Sequence, residues 1–126
     1  MILTIAMLAA AMSTAPGQYQ IHATMIQDGK VLYDPRLVAN AGEPATFVTG
    51  DGKTDYDLRV VATPDSLDKA GPDGVALSVD LSVGRQDNRR HLVTKVVVKP
   101  GELVTLTLPA SAANPSISVN ISADKA

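Results

Sequence analysis

Val75-Ala76-Leu77-Ser78-Val79-Asp80-Leu81-Ser82-Val83 places valine or leucine at every second position, with alanine, serine and aspartate between them. Side chains alternate across a β-strand with a period of two. As a strand this run therefore has one apolar and one largely polar face, whereas as a helix it would scatter the same residues around the axis.

The same period extends along the chain in both directions. Upstream, Tyr56, Leu58, Val60 and Ala62 alternate with Asp55, Asp57, Arg59 and Val61, and Tyr19, Ile21, Ala23 and Met25 alternate with Gln18, Gln20, His22 and Thr24. Downstream, Leu92 to Val98 is rich in β-branched residues. Val104, Leu106 and Leu108 alternate with threonines, and Ile117, Val119 and Ile121 with Ser116, Ser118, Asn120 and Ser122. Turn residues separate these runs. Asp28-Gly29 is a hairpin pair, Pro35 and Pro100-Gly101 interrupt pairing, and Gly42 and Gly50 bracket a short strand over Ala45–Thr49.

One-sided alternation marks antiparallel sheets with one wet face, and two such sheets hide their apolar faces against each other. The segments between runs are too short for crossover helices. The expected fold is all-β, an antiparallel β-sandwich of about seven strands. One helical turn is expected over Thr63–Lys69, where Pro64 and Asp65 suit a helix start.

The length of 126 residues fits one domain, and 45% apolar against 19% charged residues supports a packed core rather than a disordered chain. Lys and Arg number 11 against 13 Asp and Glu, a net charge of −2, so no overall field would hold a nucleic acid. The absence of cysteine excludes disulfides, thiolate metal sites and thiol nucleophiles, and two histidines are too few for a multi-histidine centre. No cofactor is expected.

Ile2 to Met12 (ILTIAMLAAAM) is uncharged and apolar, shorter than the roughly 20 residues a spanning helix needs, and followed by small residues. Residues 1–15 are expected to be a signal peptide, cut near Ala11-Met12-Ser13, and residues 16–126 a single β-domain. No integral membrane span would remain after cleavage, and the destination would be periplasmic or secreted.

Sites are sparse. Ser66-Leu67-Asp68-Lys69 has the spacing of serine acyl enzymes but lacks their partner motifs, so a connecting turn is the better reading. Asp51, Asp55 and Asp57 suit calcium chemically, but their spacing is not that of a binding loop, and solvated acids are the better reading. His22 falls on a polar face without a nucleophile or base at a defined spacing. Arg85, Arg89, Arg90 and His91 form the chain's one local basic cluster, in GRQDNRRH between two strands. They are the candidate protein-contact residues.

Val31-Leu32-Tyr33-Asp34-Pro35-Arg36-Leu37-Val38-Ala39, followed by Gly42-Glu43-Pro44-Ala45-Thr46-Phe47-Val48-Thr49-Gly50, resembles a passage of bacterial secretin β-domains. There, a Pro-Arg pair leads through a small loop into an Ala-Thr apolar strand closed by glycine. Similar wording occurs in exported C-terminal regions of beta-lactam-sensor-type membrane proteins. Tyr56–Val60, Val75–Val79 and the Val96-Val97-Val98-Lys99-Pro100-Gly101 passage are similar to the strands that follow it. The long pore-lining hairpins of secretins have no counterpart here. The resemblance therefore implies a small periplasmic β-module without catalytic residues, not a pore.

The expected function is a non-catalytic, exported structural or protein-interaction module of a bacterial envelope, with an envelope or secretion-related protein as partner. The alternative is a small-ligand or glycan-binding module using Tyr19, Tyr33, Tyr56 and Phe47, the chain's entire aromatic supply.

Overall fold

The computed structural model describes residues 17–65, 74–85, 89–110 and 115–125. The signal-like segment, the Ser66 to Lys69 part of the expected turn and the tip between Arg85 and Arg89 lie outside those residues.

Nine strands form two antiparallel sheets: β1 (Gln18–Gln27), β2 (Lys30–Tyr33), β3 (Arg36–Asn40), β4 (Pro44–Gly50), β5 (Asp55–Pro64), β6 (Val75–Val83), β7 (Arg90–Val98), β8 (Val104–Leu108) and β9 (Ile117–Lys125). The first sheet runs β2-β1-β9-β8, with β3 also paired to β1, and the second runs β4-β5-β6-β7. The sandwich inferred from the alternation is the observed architecture.

The first sheet begins with a tight hairpin. Asp28 and Gly29 both have positive φ, 54° and 77°, between the paired residues Gln27 and Lys30. Two positive φ values define the turn whose twist matches that of the flanking strands, and Asp-Gly is a preferred pair for it. The returning strand is broken by Asp34-Pro35. β2 pairs with the C-terminal end of β1 and β3 with its N-terminal half, both along the edge of β1 opposite β9. The Pro35 carbonyl accepts a 3.0 Å bond from Ala23 N–H and keeps the two pieces in line.

Nine strands stand where about seven were expected: the break at Asp34-Pro35 adds β3 as a separate short strand, and the strand expected over Ala45–Thr49 is present as β4. Thr63 and Pro64 do not open a helical turn. They end β5 opposite Ala76 and Val75, and the Asp65 N–H donates to Gly74 O at 2.8 Å. Proline fits there because its nitrogen faces the side of β5 away from β6, where β4 has ended at the Pro44–Val61 pair and Gly42 N–H bonds only as far as Ala62 O, at 2.9 Å.

The strand parity read from sequence sets the core. Tyr19, Ile21, Ala23 and Met25 of β1, Tyr56, Leu58, Val60 and Ala62 of β5, alternate residues Val75 to Val83 of β6, and Ile117, Val119, Ile121 and Ala123 of β9 are all buried. Among the described residues no polar or charged side chain is buried, so the interior is held by apolar burial. Each fully enclosed Leu, Ile or Val contributes roughly 1.5–3 kcal/mol before chain entropy is counted. Tyr33 sits against Phe47 and Tyr56, with ring centroids 5.7 and 5.2 Å away, and closes one region of the core.

Candidate functional site

The four residues of the basic cluster do not share a surface. Arg90 has the same parity as Leu92, Val96 and Val98 and turns toward the interior. Its Nη1 donates to the carbonyls of Pro109 and Pro115, each at 2.8 Å. Arg89 and His91 instead face outward from the second sheet. Arg89 Nη1 donates to Ser82 Oγ at 2.9 Å, and His91 Nε2 lies 2.5 Å from Asp80 Oδ1. Arg85 pairs with Asp55 at 3.3 Å. The parity of Arg90 was the sequence signal that separates it from its neighbours.

Asp57, Arg59, Asp80, Ser82, Arg89 and His91 line a shallow open depression on that outer face. His91, Asp80 and Ser82 bring an imidazole, a carboxylate and a hydroxyl together, but not as a proton relay. The Ser82 hydroxyl is bonded by Arg89, and the His91–Asp80 pair is about half exposed to water. A relay needs a nucleophile bonded to its base in a desolvated site.

His22, on the outer face of the first sheet, lies 2.5 Å from Asp34 Oδ1, which also accepts from Thr24 Oγ1 at 2.7 Å. The Thr24 hydroxyl bond and then that of His22 hold the Asp34 carboxyl below its ordinary range. Both therefore secure the residue at the strand break.

The acids weighed for calcium are otherwise engaged. Asp51 Oδ1 accepts the backbone N–H groups of Lys53 and Thr54 at 2.9 and 2.7 Å, which lowers its pKa, and Asp55 pairs with Arg85. Among the described residues no group of three His, Asp or Glu is placed to hold a metal ion. The aromatics weighed for ligand stacking are structural. Tyr19 and Tyr56 are buried, Tyr33 and Phe47 pack half-buried against the core, and desolvation raises the Tyr56 pKa.

Among the described residues, the surface with a clear chemical capacity is the free edge of β7. The Gly84 N–H donates to Asp55 O at 2.9 Å, which sets the hydrogen-bonding phase of the β5–β6 ladder. In an antiparallel sheet successive residues bond alternately to the strand on either side. Even-numbered residues of β6 therefore bond β5, and odd-numbered ones bond β7. Through the pairs Leu81–Leu92, Val79–Thr94 and Leu77–Val96, β7 uses the backbone groups of Leu92, Thr94 and Val96 on β6. Those of His91, Val93, Lys95 and Val97 point off the sheet.

The other edges are blunted by comparison. The β2/β3 edge is broken at Asp34-Pro35 and shifts register between Met25 and Ile26. β8 has 5 residues, and β4 has 7 and begins with proline. β7 keeps unbroken register with β6 over its 9 residues and exposes Val93 at 67% and Val97 at 45%. Sequence reading located the tip beside this strand but missed Val93, Lys95 and Val97. The signal was present in the β-branched run, but which strand closes a sheet is settled only by topology.

Among the described residues, the fold and this edge define an all-β sandwich with one long strand that pairs on one side only. No protein-family model matches the chain, and searches of curated proteins and of solved structures return no significant match.

Proposed function

We propose that this chain is an exported, non-catalytic protein-interaction module of a bacterial envelope, which binds its partner by strand addition at β7. The observation that carries the reading is the row of free backbone donors and acceptors at His91, Val93, Lys95 and Val97. A partner strand laid there satisfies the main-chain groups and covers Val93 and Val97. The apolar segment at residues 2–12 supports export, and the resemblance to secretin β-domains supports a periplasmic setting.

The test is capture from a bacterial envelope extract. The wild-type chain is expected to retain a discrete protein. Lys95→Pro, which removes one outward N–H without touching the β6 ladder, is expected to release it. Val48→Lys on the opposite edge is expected to retain it. Capture indifferent to Lys95→Pro overturns the reading. The compartment is tested separately, by the mass of the chain recovered from the periplasm, where removal of residues 1–13 is expected.

The outer-face depression favours a second reading, a small polar ligand held by Arg59, Arg89 and Asp57. Thermal shifts with a panel of sugars and organic anions separate the two, because strand addition predicts no shift with either class.

A further inference from the structure

The proposed edge has the chemistry to pair with itself. Antiparallel overlap of the whole of β7 with a second β7 sets Arg90 opposite Val98, His91 opposite Val97, Val93 opposite Lys95, and Thr94 opposite Thr94 on the two-fold axis. In that register every outward-pointing residue faces another outward-pointing residue. The bonding phase of full overlap is therefore the correct one, which a shift by a single residue would destroy. No two like charges stand directly opposite, and the axial threonines make a favourable cross-strand pair. Val93 and Val97 of each copy become diagonal neighbours on one face, so the valines exposed in the single chain cover each other.

Charge gives the second argument. Lys95 stands in the middle of the open edge and has no ion-pair partner among the described residues. A central lysine ordinarily guards an edge against pairing. Here the second copy brings its own Asp80, which pairs with His91 within that copy, to the same surface. Lys95 of one copy lies opposite Val93 of the other, and Val93 lies opposite Asp80 on β6. Two strand spacings separate the backbones of Lys95 and the other copy's Asp80 by about 10 Å, within reach of a flexible lysine stem and an aspartate together. The two-fold makes this contact twice.

We infer that the partner of β7 is a second copy of this chain, paired antiparallel through Arg90–Val98 to give a continuous eight-stranded sheet with Lys95 beside Asp80 of the other copy. The inference rests on the reading of β7 as a binding edge and goes beyond it by naming the occupant.

Sedimentation velocity over a concentration series tests it. The wild type is expected to pass from monomer to dimer as concentration rises. Lys95→Pro and Val93→Lys are each expected to raise the dimer dissociation constant by about tenfold or more, with the far-ultraviolet dichroism of the wild type. Should one variant misfold, the other carries the comparison. In the dimer, amide exchange of His91, Val93, Lys95 and Val97 slows as concentration rises. A dimer indifferent to both substitutions uses another face and overturns the inference. A wild type that is monomeric throughout overturns it too. If that monomer still captures an envelope protein in a manner lost with Lys95→Pro, the edge reading survives and only self-pairing falls. If it captures nothing, both fall.

Discussion

Arg90 reaches from β7 to the Pro115 carbonyl at 2.8 Å, and the same Nη1 bonds Pro109 O, so one guanidinium ties the second sheet to the chain on both sides of the β8–β9 connection. It borders a cavity of about 40 Å³, the scale of a water molecule rather than a ligand, lined by Gln27, Thr54, Tyr56 and Ile117 among others. The arginine beside the most open edge thus serves the fold, while its neighbours Arg89 and His91 face solvent.

Replacement of Arg90 by methionine is therefore expected to lower stability by about 1–3 kcal/mol, the scale for losing charge-assisted hydrogen bonds. Arg89→Ala is expected to stay within about 0.5 kcal/mol, as for exposed side chains generally. Urea denaturation of the two variants checks the contrast, and equal effects would mean that the two arginines are equivalent.

In the core, Leu58 and Leu77 are both fully enclosed. Truncation of either to alanine is expected to cost about 2–5 kcal/mol through lost burial and the space left behind. Val48→Ala, on an exposed edge position, is expected to change stability by no more than about 0.5 kcal/mol. The same denaturation midpoints decide it.

Gly29 has φ of 77° in the first hairpin, and a Cβ there would meet no atom within 4 Å. Gly29→Ala is therefore expected to destabilise by backbone conformation alone, by about 1–2 kcal/mol, without any clash. Asp28 shares the left-handed region, so Asp28→Val at φ of 54° is expected to be worse than Asp28→Asn. Thermal midpoints of the three variants test that order.

Acid should weaken the fold through two carboxyls. Asp34 is held below its ordinary 3.8 by hydrogen bonds from Thr24 and then His22, and Asp51 below 3.8 by the N–H groups of Lys53 and Thr54. Groups whose pKa is lowered by folding stabilise the chain while ionised. Their contribution is present above the unfolded value and is lost as pH falls through the lowered one. Stability is expected to decline below about pH 4, and more shallowly in the Asp34→Asn, Asp51→Asn double variant. A double variant with the wild-type acid limb would show that these bonds do not couple to protonation.

Amide exchange in dilute protein reads the phase of β7 directly. Leu92, Thr94 and Val96 are expected to be protected by β6, and His91, Val93, Lys95 and Val97 to exchange faster. The opposite alternation would place the free groups on the other residues and remove the edge chemistry proposed above.

Much of this architecture was legible in the order of the residues. A period of two names a strand and its buried face without reference to any neighbour, as Val75–Val83 and Tyr56–Ala62 show, and Asp28-Gly29 names its own turn. Thr63-Pro64 misled because its helix-starting chemistry is local, whereas its extended conformation is imposed by pairing with Ala76 and Val75. Arg90 misled because a charged residue at an inward parity depends on distant acceptors, and Pro109 and Pro115 meet it only in the folded chain.

The chain's own alternation determined the two-layer, apolar-cored sandwich, since each strand carries its inward and outward faces in its covalent order. Tertiary structure alone decided that β1 and β9 meet in the middle of one sheet while β7 ends the other. Pairing partners are set by packing and loop closure across long separations, and which strand stands at an edge follows only from the full pairing order of the described strands. The candidate site is therefore a property of the topology, and its bonding phase was fixed by a backbone contact between Gly84 and Asp55 that no local pattern encodes.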